Sequence, residues 1–428
     1  LDGSFKKVVL VSLGDGSSTN REVFLAFAKA LNRCKDASAA VTEIFLDNAA
    51  EITHAPEMAK KIMELPHLVS YQFNHYRSVP VVNGMEEAAV VTSAAGMERL
   101  AREAAHVAES TMLARDLVNH PSMFMDPEQL AKECEALAEE LGIEVQIYDK
   151  KQAEEMNMGA FLAVGRGSAA EPRLIVLRYK GGKEEEPPVA LVGKGIMFDS
   201  GGYSLKSRME TMHGDMGGAA AVIGAIRAIA LEKLPVNVIA VVAACKNMIS
   251  GDAYVPGDIL FSMNGKKIEM LNSDAEGRLT LADALTYAIR KENAGSIIDI
   301  ATLTGAAQGA VGVRSSAVFS NDEELYAEVE EASERACEKI WRLPLDKELF
   351  PVIESEVADI QNSAQGSTMG GGAIVAGLFL QEFVEDHSWV HVDIAPVSWE
   401  SKDIDYSIKG ATGYGVSLLY ETVKVISR

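Results

Sequence analysis

The chain reads as an α/β protein: a small N-terminal α/β domain, a long linking helix, and a large α/β domain whose central mixed sheet carries helices on both faces. Three observations predict this class. The 428 residues exceed what one ordinary hydrophobic core supports, so two domains are expected. Beyond Pro127, short apolar runs alternate with segments of helical periodicity, the order that sets a sheet between two helical layers. Between the blocks, Glu86–Val118 is rich in Ala and Glu and is interrupted only by Gly96, as a single long helix would be. The divisions fall at 1–85, 86–118 and 119–428.

Taken in order, Val8–Leu13 is a short strand closed by Gly14, Asn20–Lys35 a helix, and Ala40–Leu46 a strand, with more helix following through Arg77. Asp126-Pro127 supplies an N-cap and first turn for a helix to Leu141. Arg173–Tyr179 and Pro188–Gly193 are strands, joined by the solvated segment 180–188. Met216–Lys233 is a helix, Val236–Cys245 a strand, Leu279–Lys291 a helix, and Ser296–Gly305 a strand. Asp322–Ile340 and Ala373–Val384 are helices, Trp389–Ala395 a strand, and Gly415–Ile426 the closing helix. The glycine-rich 366–377 reads equally as a flexible helix entry or as a pocket or subunit-contact loop.

Composition narrows the function. Hydrophobic residues at 48% and charged residues at 24% describe an ordinary globular protein. A net charge of -22 disfavours nucleic acid and anionic membranes, because phosphate binding is driven by Lys and Arg. Cys34, Cys134, Cys245 and Cys337 are widely spaced and read as reduced, mostly buried thiols. The longest apolar run, Val236–Cys245, is about half a membrane span. The N-terminus runs directly into strand-like sequence without a signal-peptide pattern, so a cytoplasmic location is expected.

Four acidic residues stand out: Asp199 and Asp215 in FDSGGYSLKSRMETMHGDMGG, then Asp274 and Glu276 in NSDAEGRLTLADAL. Each has a plain reading of its own. Asp199 suits a tight turn, Asp215 an N-cap, and Ser273-x-x-Glu276 a capping box. Gly193-Lys194-Gly195 is half a dinucleotide fingerprint, and no Walker A pattern is present. Together the plain readings weaken. Lys194, Asp199, Lys206, Asp215, Asp274, Glu276 and Arg278 gather in small-residue segments at strand ends, where open α/β sheets bind ligands. Crowded carboxylates repel unless cations lie among them, and carboxylate oxygens suit hard divalent metals. Only His213 could bring a softer donor, which excludes a thiolate zinc site. A two-metal carboxylate centre that activates water for hydrolysis is the leading reading.

NSDAEGRLTLADAL resembles the NTDAEGR-L-LADAL signature of the leucyl aminopeptidases, the cytosol aminopeptidase family, with Ser273 in place of Thr. VGKGIMFDSGGYSLK, GDMGGAAAV, ARDLVNHPS, ATLTG, GGGAIVAGLFL and KGATGYGV are also similar to that family, in ordered spacing from Ala114 onward. The resemblance implies a metallopeptidase catalytic domain over 119–428 with two divalent metals, Mn2+ or Zn2+, or alternatively Co2+ or Mg2+. One metal is held by Asp199, Asp274 and Glu276, the other by Lys194, Asp199, Asp215 and Glu276. It further implies a hydroxide bridging both metals, Lys206 as oxyanion donor, and Arg278 as anchor of a bicarbonate that shuttles a proton. Substrates are then peptides with a free N-terminus, leucine or another apolar residue preferred, and the assembly a homohexamer. Met212, Thr302, Leu303 and Gly305 are the candidate lining of the first side-chain pocket.

The sequence departs from the family in three places. Only Ser207-Arg208 separates Lys206 from Met209, a shorter connection than usual, and Pro396 replaces a common Gly in HVDIAPVSW; the N-terminal domain, 1–85, also looks shortened beside the family. His391 and Asp393 are read as strand and core residues. Two other classes are kept in view. A nucleic-acid-binding scaffold would bind DNA without peptidase activity, and a nucleotide-dependent enzyme would use the VGKG turn to bind ATP or NAD.

Overall fold

In the computed structural model, residues 8–12, 18–37, 39–46, 56–82, 85–364 and 368–428 are described. The N-terminal part holds α1 (Asn20–Asp36), β1 (Val41–Phe45), α2 (Pro56–Ser70) and β2 (Glu87–Val91), and β1 pairs with β2 in parallel. Val8–Ser12 take no regular structure, while Leu13 and Gly14 lie outside the described residues. The expected helix through Arg77 stops at Ser70. Beyond it the Asn74 amide closes a turn, donating to Val81 O and accepting from Val81 N.

The helix expected from Glu86 begins only at Met97 and forms α3 (Met97–Asn119). Glu87–Val91 is instead a strand, because pairing with β1 along its whole length, aided by the β-branched Val90 and Val91, outweighs local helix propensity. Gly96, at φ +80, makes the break in a conformation few other residues adopt. Along α3, Leu100, Ala104 and Ala108 pack with Phe24, Leu31 and Ile62 of the N-terminal part. Val107, Ala114 and Leu117 join the core of the large domain instead, where this helix lies chiefly against the helix Gly217–Glu232. A buried ionic cluster reinforces this junction: Lys60 of α2 pairs with Glu103 of α3 at 3.3 Å and with Glu421 near the C-terminus.

The remainder follows as α4 (Pro127–Leu141), β3 (Glu144–Tyr148), α5 (Lys150–Glu155), α6 (Gly159–Gly165), β4 (Arg173–Lys180), β5 (Val189–Asp199), α7 (Gly217–Glu232) and β6 (Asn237–Asn247). Next come β7 (Asp258–Phe261), β8 (Lys267–Met270), α8 (Gly277–Arg290), β9 (Ser296–Ala301), α9 (Gly305–Val311), β10 (Ser316–Ser320), α10 (Glu323–Ala336) and β11 (Ile340–Arg342). The chain closes with β12 (Ile360–Gln361), α11 (Gly372–Gln381), β13 (Ser388–Asp393) and α12 (Val416–Ile426). The eight-stranded sheet runs β11-β10-β13-β9-β5-β6-β4-β3. Its centre, β13-β9-β5-β6, is parallel, and β3, β4 and β10 run antiparallel to their inner neighbours.

Alternate strand residues face opposite layers. Val189 and Leu191 point to the side of α3, α7 and α12, whereas Ala190 and Val192 point to the side of α6, α8 and α11. The chain leaves β5 through α7 on one face to reach β6, then returns through α8 on the other face to β9. That reversal opens a crevice at the carboxyl ends of β5 and β9, the position where doubly wound sheets bind ligands.

Candidate metal centre

Pairing between β5 and β9 ends at Gly193, opposite Ile300, while β5 continues along β6 as far as Asp199 with an irregularity between Ile196 and Phe198. The amino end of α7 enters the space so opened. A Cβ on Gly218 would lie 2.1 Å from Ile300 O, so only glycine permits this approach. Lys194 projects beneath α8, where a Cβ on Gly277 would meet Lys194 Cε at 2.5 Å.

The four acids and two lysines named from the sequence all reach this crevice. Lys194, nearly fully buried, places Nζ 2.9 Å from Asp215 Oδ2, 2.9 Å from Glu276 Oε1 and 2.8 Å from the Thr302 carbonyl, to which it donates. Lys206 Nζ lies 2.7 Å from Asp199 Oδ2 and 2.5 Å from Asp274 Oδ1. Carboxylate oxygens of Asp199, Asp274 and Glu276 fall within 4.8 Å of one another. Four carboxylates thus surround two ammoniums. Glu276 Oε2 is buried without a hydrogen-bond partner.

The plain readings of Asp215 and Glu276 fail on their geometry, whereas Asp199 keeps its tight turn. Asp215 precedes the N-cap of α7, Met216, and caps nothing; it accepts from Thr302 Oγ1 at 2.8 Å. Glu276 is the first residue before α8 but makes no side-chain cap hydrogen bond. Ser273 does not cap either, since its hydroxyl donates to Gly201 O and accepts from Ser204 N, stitching the Asp199 loop to the Asp274 loop. Asp199 Oδ1 accepts from Gly201 N and from the Asn247 amide, both below 3 Å.

The electrostatics record the crowding. Burial, then Glu276, push the Asp199 carboxyl up to about 6 against the pull of both lysines. Asp215 and Asp274 are likewise raised, chiefly by burial. Burial also acts against the charged form of Glu276, but Lys194 and then Lys206 prevail and hold it low. Both lysines are raised because their carboxylate neighbours outweigh desolvation. The donor set of carboxylate oxygens with one amine, and the orphaned Glu276 oxygen, fit hard divalent cations.

The remaining sequence candidates lie around this cluster. Arg278 is buried and donates from Nη1 to Asn362 O, leaving Nε without a partner; burial lowers it to about 10. Met212 opens the short turn that ends before Asp215. Thr302 and Leu303 form the bend after β9, and Gly305 begins α9 with no heavy atom within 4 Å of where a Cβ would sit. Three residues that sequence reasoning passed over or read as core hold the loops. Asn247 binds Asp199 and Ser273 O, and the Asn362 amide accepts from Leu271 N and donates to Asn272 O and Ala275 O. Asp393 grips the Thr302–Gly305 bend. His391 is core as expected, pairing with Asp299 at 2.6 Å.

A model of the cytosol aminopeptidase family, catalytic domain, matches residues 112–420, and one of the same family's N-terminal domain matches residues 1–80. The chain belongs to the cytosol aminopeptidase family. It is a metal-dependent aminopeptidase of the leucyl aminopeptidase group. A probable cytosol aminopeptidase of Clostridium perfringens is 46% identical over 437 aligned residues, covering 98% of this chain and 86% of its own. The bottromycin maturation enzyme BotP in complex with Mn superposes with a TM-score of 0.87 at 35% identity, covering 96% of this chain and 89% of that one. The K354E mutant of tomato leucine aminopeptidase gives 0.87 at 37% identity, over 95% and 80%. Among the described residues, no helix is long and apolar enough to cross a membrane.

Proposed function

We propose that the chain releases N-terminal residues from peptides, favouring leucine and other apolar side chains, at a centre of two divalent cations. The crowding of Asp199, Asp215, Asp274 and Glu276 around two ammoniums at the parallel strand ends carries this reading. Asp199, Asp274 and Glu276 would hold one cation; Lys194, Asp199, Asp215 and Glu276 would hold the other. Mn2+ or Zn2+ suits these donors, with Co2+ or Mg2+ as substitutes. When bound, such cations supply a hydroxide near neutral pH, one zinc alone lowering the pKa of water from about 15.7 to about 7.

The protein groups then divide the remaining work. Lys194 ligates only as a neutral amine, so cation binding displaces the proton its carboxylate neighbours now favour. Lys206, partly exposed and hydrogen-bonded by its own main chain to Ser200 O, is the charged group that faces the developing oxyanion. Arg278 has a buried Nε that lacks an acceptor, which a bicarbonate would satisfy while passing a proton to the leaving amine. Met212 and Leu303 offer apolar lining, and the open space at Gly305 leaves room for a substrate side chain. A homohexamer acting only on peptides belongs to the same reading.

A panel of free and N-acetylated aminoacyl anilides, assayed before and after chelation, tests it. The free anilides should be cleaved, the acetylated ones should not, and Mn2+ or Co2+ should restore chelated enzyme. Full activity in protein shown by elemental analysis to be metal-free would end this reading. Light scattering checks the hexamer.

A further inference from the structure

We propose that Asp393 is a positioning residue for Lys194, acting through the single peptide unit between Thr302 and Leu303. Asp393 ends β13 in register with Ala301, the last residue of β9, and is fully buried. Its Oδ1 accepts from Leu303 N at 3.1 Å, from Ala395 N at 3.1 Å and from Thr304 N at 3.4 Å, and its Oδ2 accepts from Thr304 Oγ1 at 2.7 Å. Ile394 N meanwhile donates to Ala301 O at 2.8 Å, so the ends of the two strands are locked together at the start of the bend.

The peptide linking Thr302 to Leu303 is planar and trans, so its N–H and C=O point in opposite directions. Directing Leu303 N–H at Asp393 therefore turns the Thr302 carbonyl the other way, where it accepts from Lys194 Nζ at 2.8 Å. The same bend places Thr302 Oγ1 on Asp215 Oδ1 at 2.8 Å. A neutral amine has two N–H donors and one lone pair. With one N–H held on Thr302 O, the lone pair of Lys194 is restricted to the side occupied by Asp215 and Glu276. Asp393 touches neither cation site nor the lysine. It orients the lysine through one rigid plane, as partners behind metal ligands commonly do. This inference rests on the reading of Lys194 as a metal ligand.

The test measures bound Mn2+ equivalents and Mn2+ affinity, by elemental analysis and by competition with a chelator, in Asp393→Asn, Asp393→Ala, Lys194→Met and the double variant Asp393→Ala with Lys194→Met. Asparagine keeps an oxygen for Leu303 N and Ala395 N, and the Thr304 hydroxyl can turn to accept from its amide. Asp393→Asn should therefore hold both equivalents within about threefold of wild-type affinity, while Asp393→Ala weakens one equivalent by about 10–100-fold. The double variant should be no weaker than Lys194→Met alone, because both changes act on the same ligand. Wild-type affinity in Asp393→Ala, or additive losses in the double variant, overturns the inference while leaving the ligand reading intact. Should Asp393→Ala not fold, loss of an equivalent in Asp393→Asn overturns it as well. Two tight equivalents in Lys194→Met overturn the ligand reading, and the inference falls with it.

Discussion

Replacing Glu276 by Gln separates a cation-binding role from a helix-capping one. The change keeps size and an oxygen for Lys194, which also retains Asp215 and the Thr302 carbonyl. It removes one of four crowded carboxylates, and Glu276 is the second cause, after burial, of the raised Asp199. Loss of attraction to the lysines and relief of repulsion with Asp199 and Asp215 therefore oppose each other. Metal-free stability should change by no more than about 1–2 kcal/mol, well short of the 3–5 kcal/mol typical when a buried charge is left without any partner.

With metal the outcome differs. At a free Mn2+ concentration 100-fold above Kd, binding stabilises wild-type protein by about 2.7 kcal/mol per site. A variant that binds about 100-fold more weakly retains only about 0.4 kcal/mol per site under the same conditions. The proposed role of Glu276 at both sites doubles the gap to roughly 4–5 kcal/mol. Denaturant unfolding with and without Mn2+, paired with elemental analysis, reads this directly. A capping role predicts almost no loss, because glutamine serves a capping box as glutamate does, and the same small difference with and without metal. Equal metal-induced stabilisation in variant and wild type, with two equivalents bound, would refute the reasoning.

Lys206→Met should keep both metals and lower kcat by about a hundredfold with a modest change in KM; loss of a metal in that variant contradicts the oxyanion role. Gly277→Ala drives a Cβ to 2.5 Å from Lys194 Cε and should cost about 1–3 kcal/mol and weaken metal retention, measured by unfolding and metal content. Asp283 of α8 is fully buried, accepts from Phe161 N and Met263 N, and is pushed by burial up to about 7. Its folded pKa lies above its unfolded one, so between about pH 4 and 7 the unfolded state binds fewer protons and stability falls as pH rises. The stability of wild type relative to Asp283→Asn should then decline by up to about 4 kcal/mol across that window, as denaturant titrations at several pH values would record.

The features legible in the sequence were those that repeat or crowd. Strands such as Arg173–Lys180 and Asn237–Asn247, and helices such as Pro127–Leu141, announce themselves by periodicity and caps. The four acids and two lysines stood out because small residues surround them. What stayed hidden depends on partners distant in the chain. Glu87–Val91 looked helical because nothing local reveals β1 as its neighbour. Asn247, Asn362 and Asp393 are single polar residues in apolar or irregular stretches, and their meaning comes from strand register, as when Asp393 falls opposite Ala301. A polar residue at the carboxyl end of a buried parallel strand was the one available signal for Asn247 and Asp393.

The fold itself offsets part of the charge it concentrates. The amino ends of α7 and α8 both open on the crevice, beside Asp215 and Glu276, and a helix amino end favours negative charge by about 0.3–1 kcal/mol. That is smaller than the opposing effect. The rise of Asp199 from 3.8 to about 6 corresponds to a penalty on its ionised form of about 3 kcal/mol, even with Lys194 and Lys206 alongside. Helix ends and lysines together therefore leave the carboxylates under-compensated, and the unpaired Glu276 Oε2 marks where compensation is missing. Additional ammoniums would fill the space without leaving positions open for substrate. Compact divalent cations supply more charge in less volume, which is why the same glycines that let Lys194, α7 and α8 approach so closely also define the chemistry of the site.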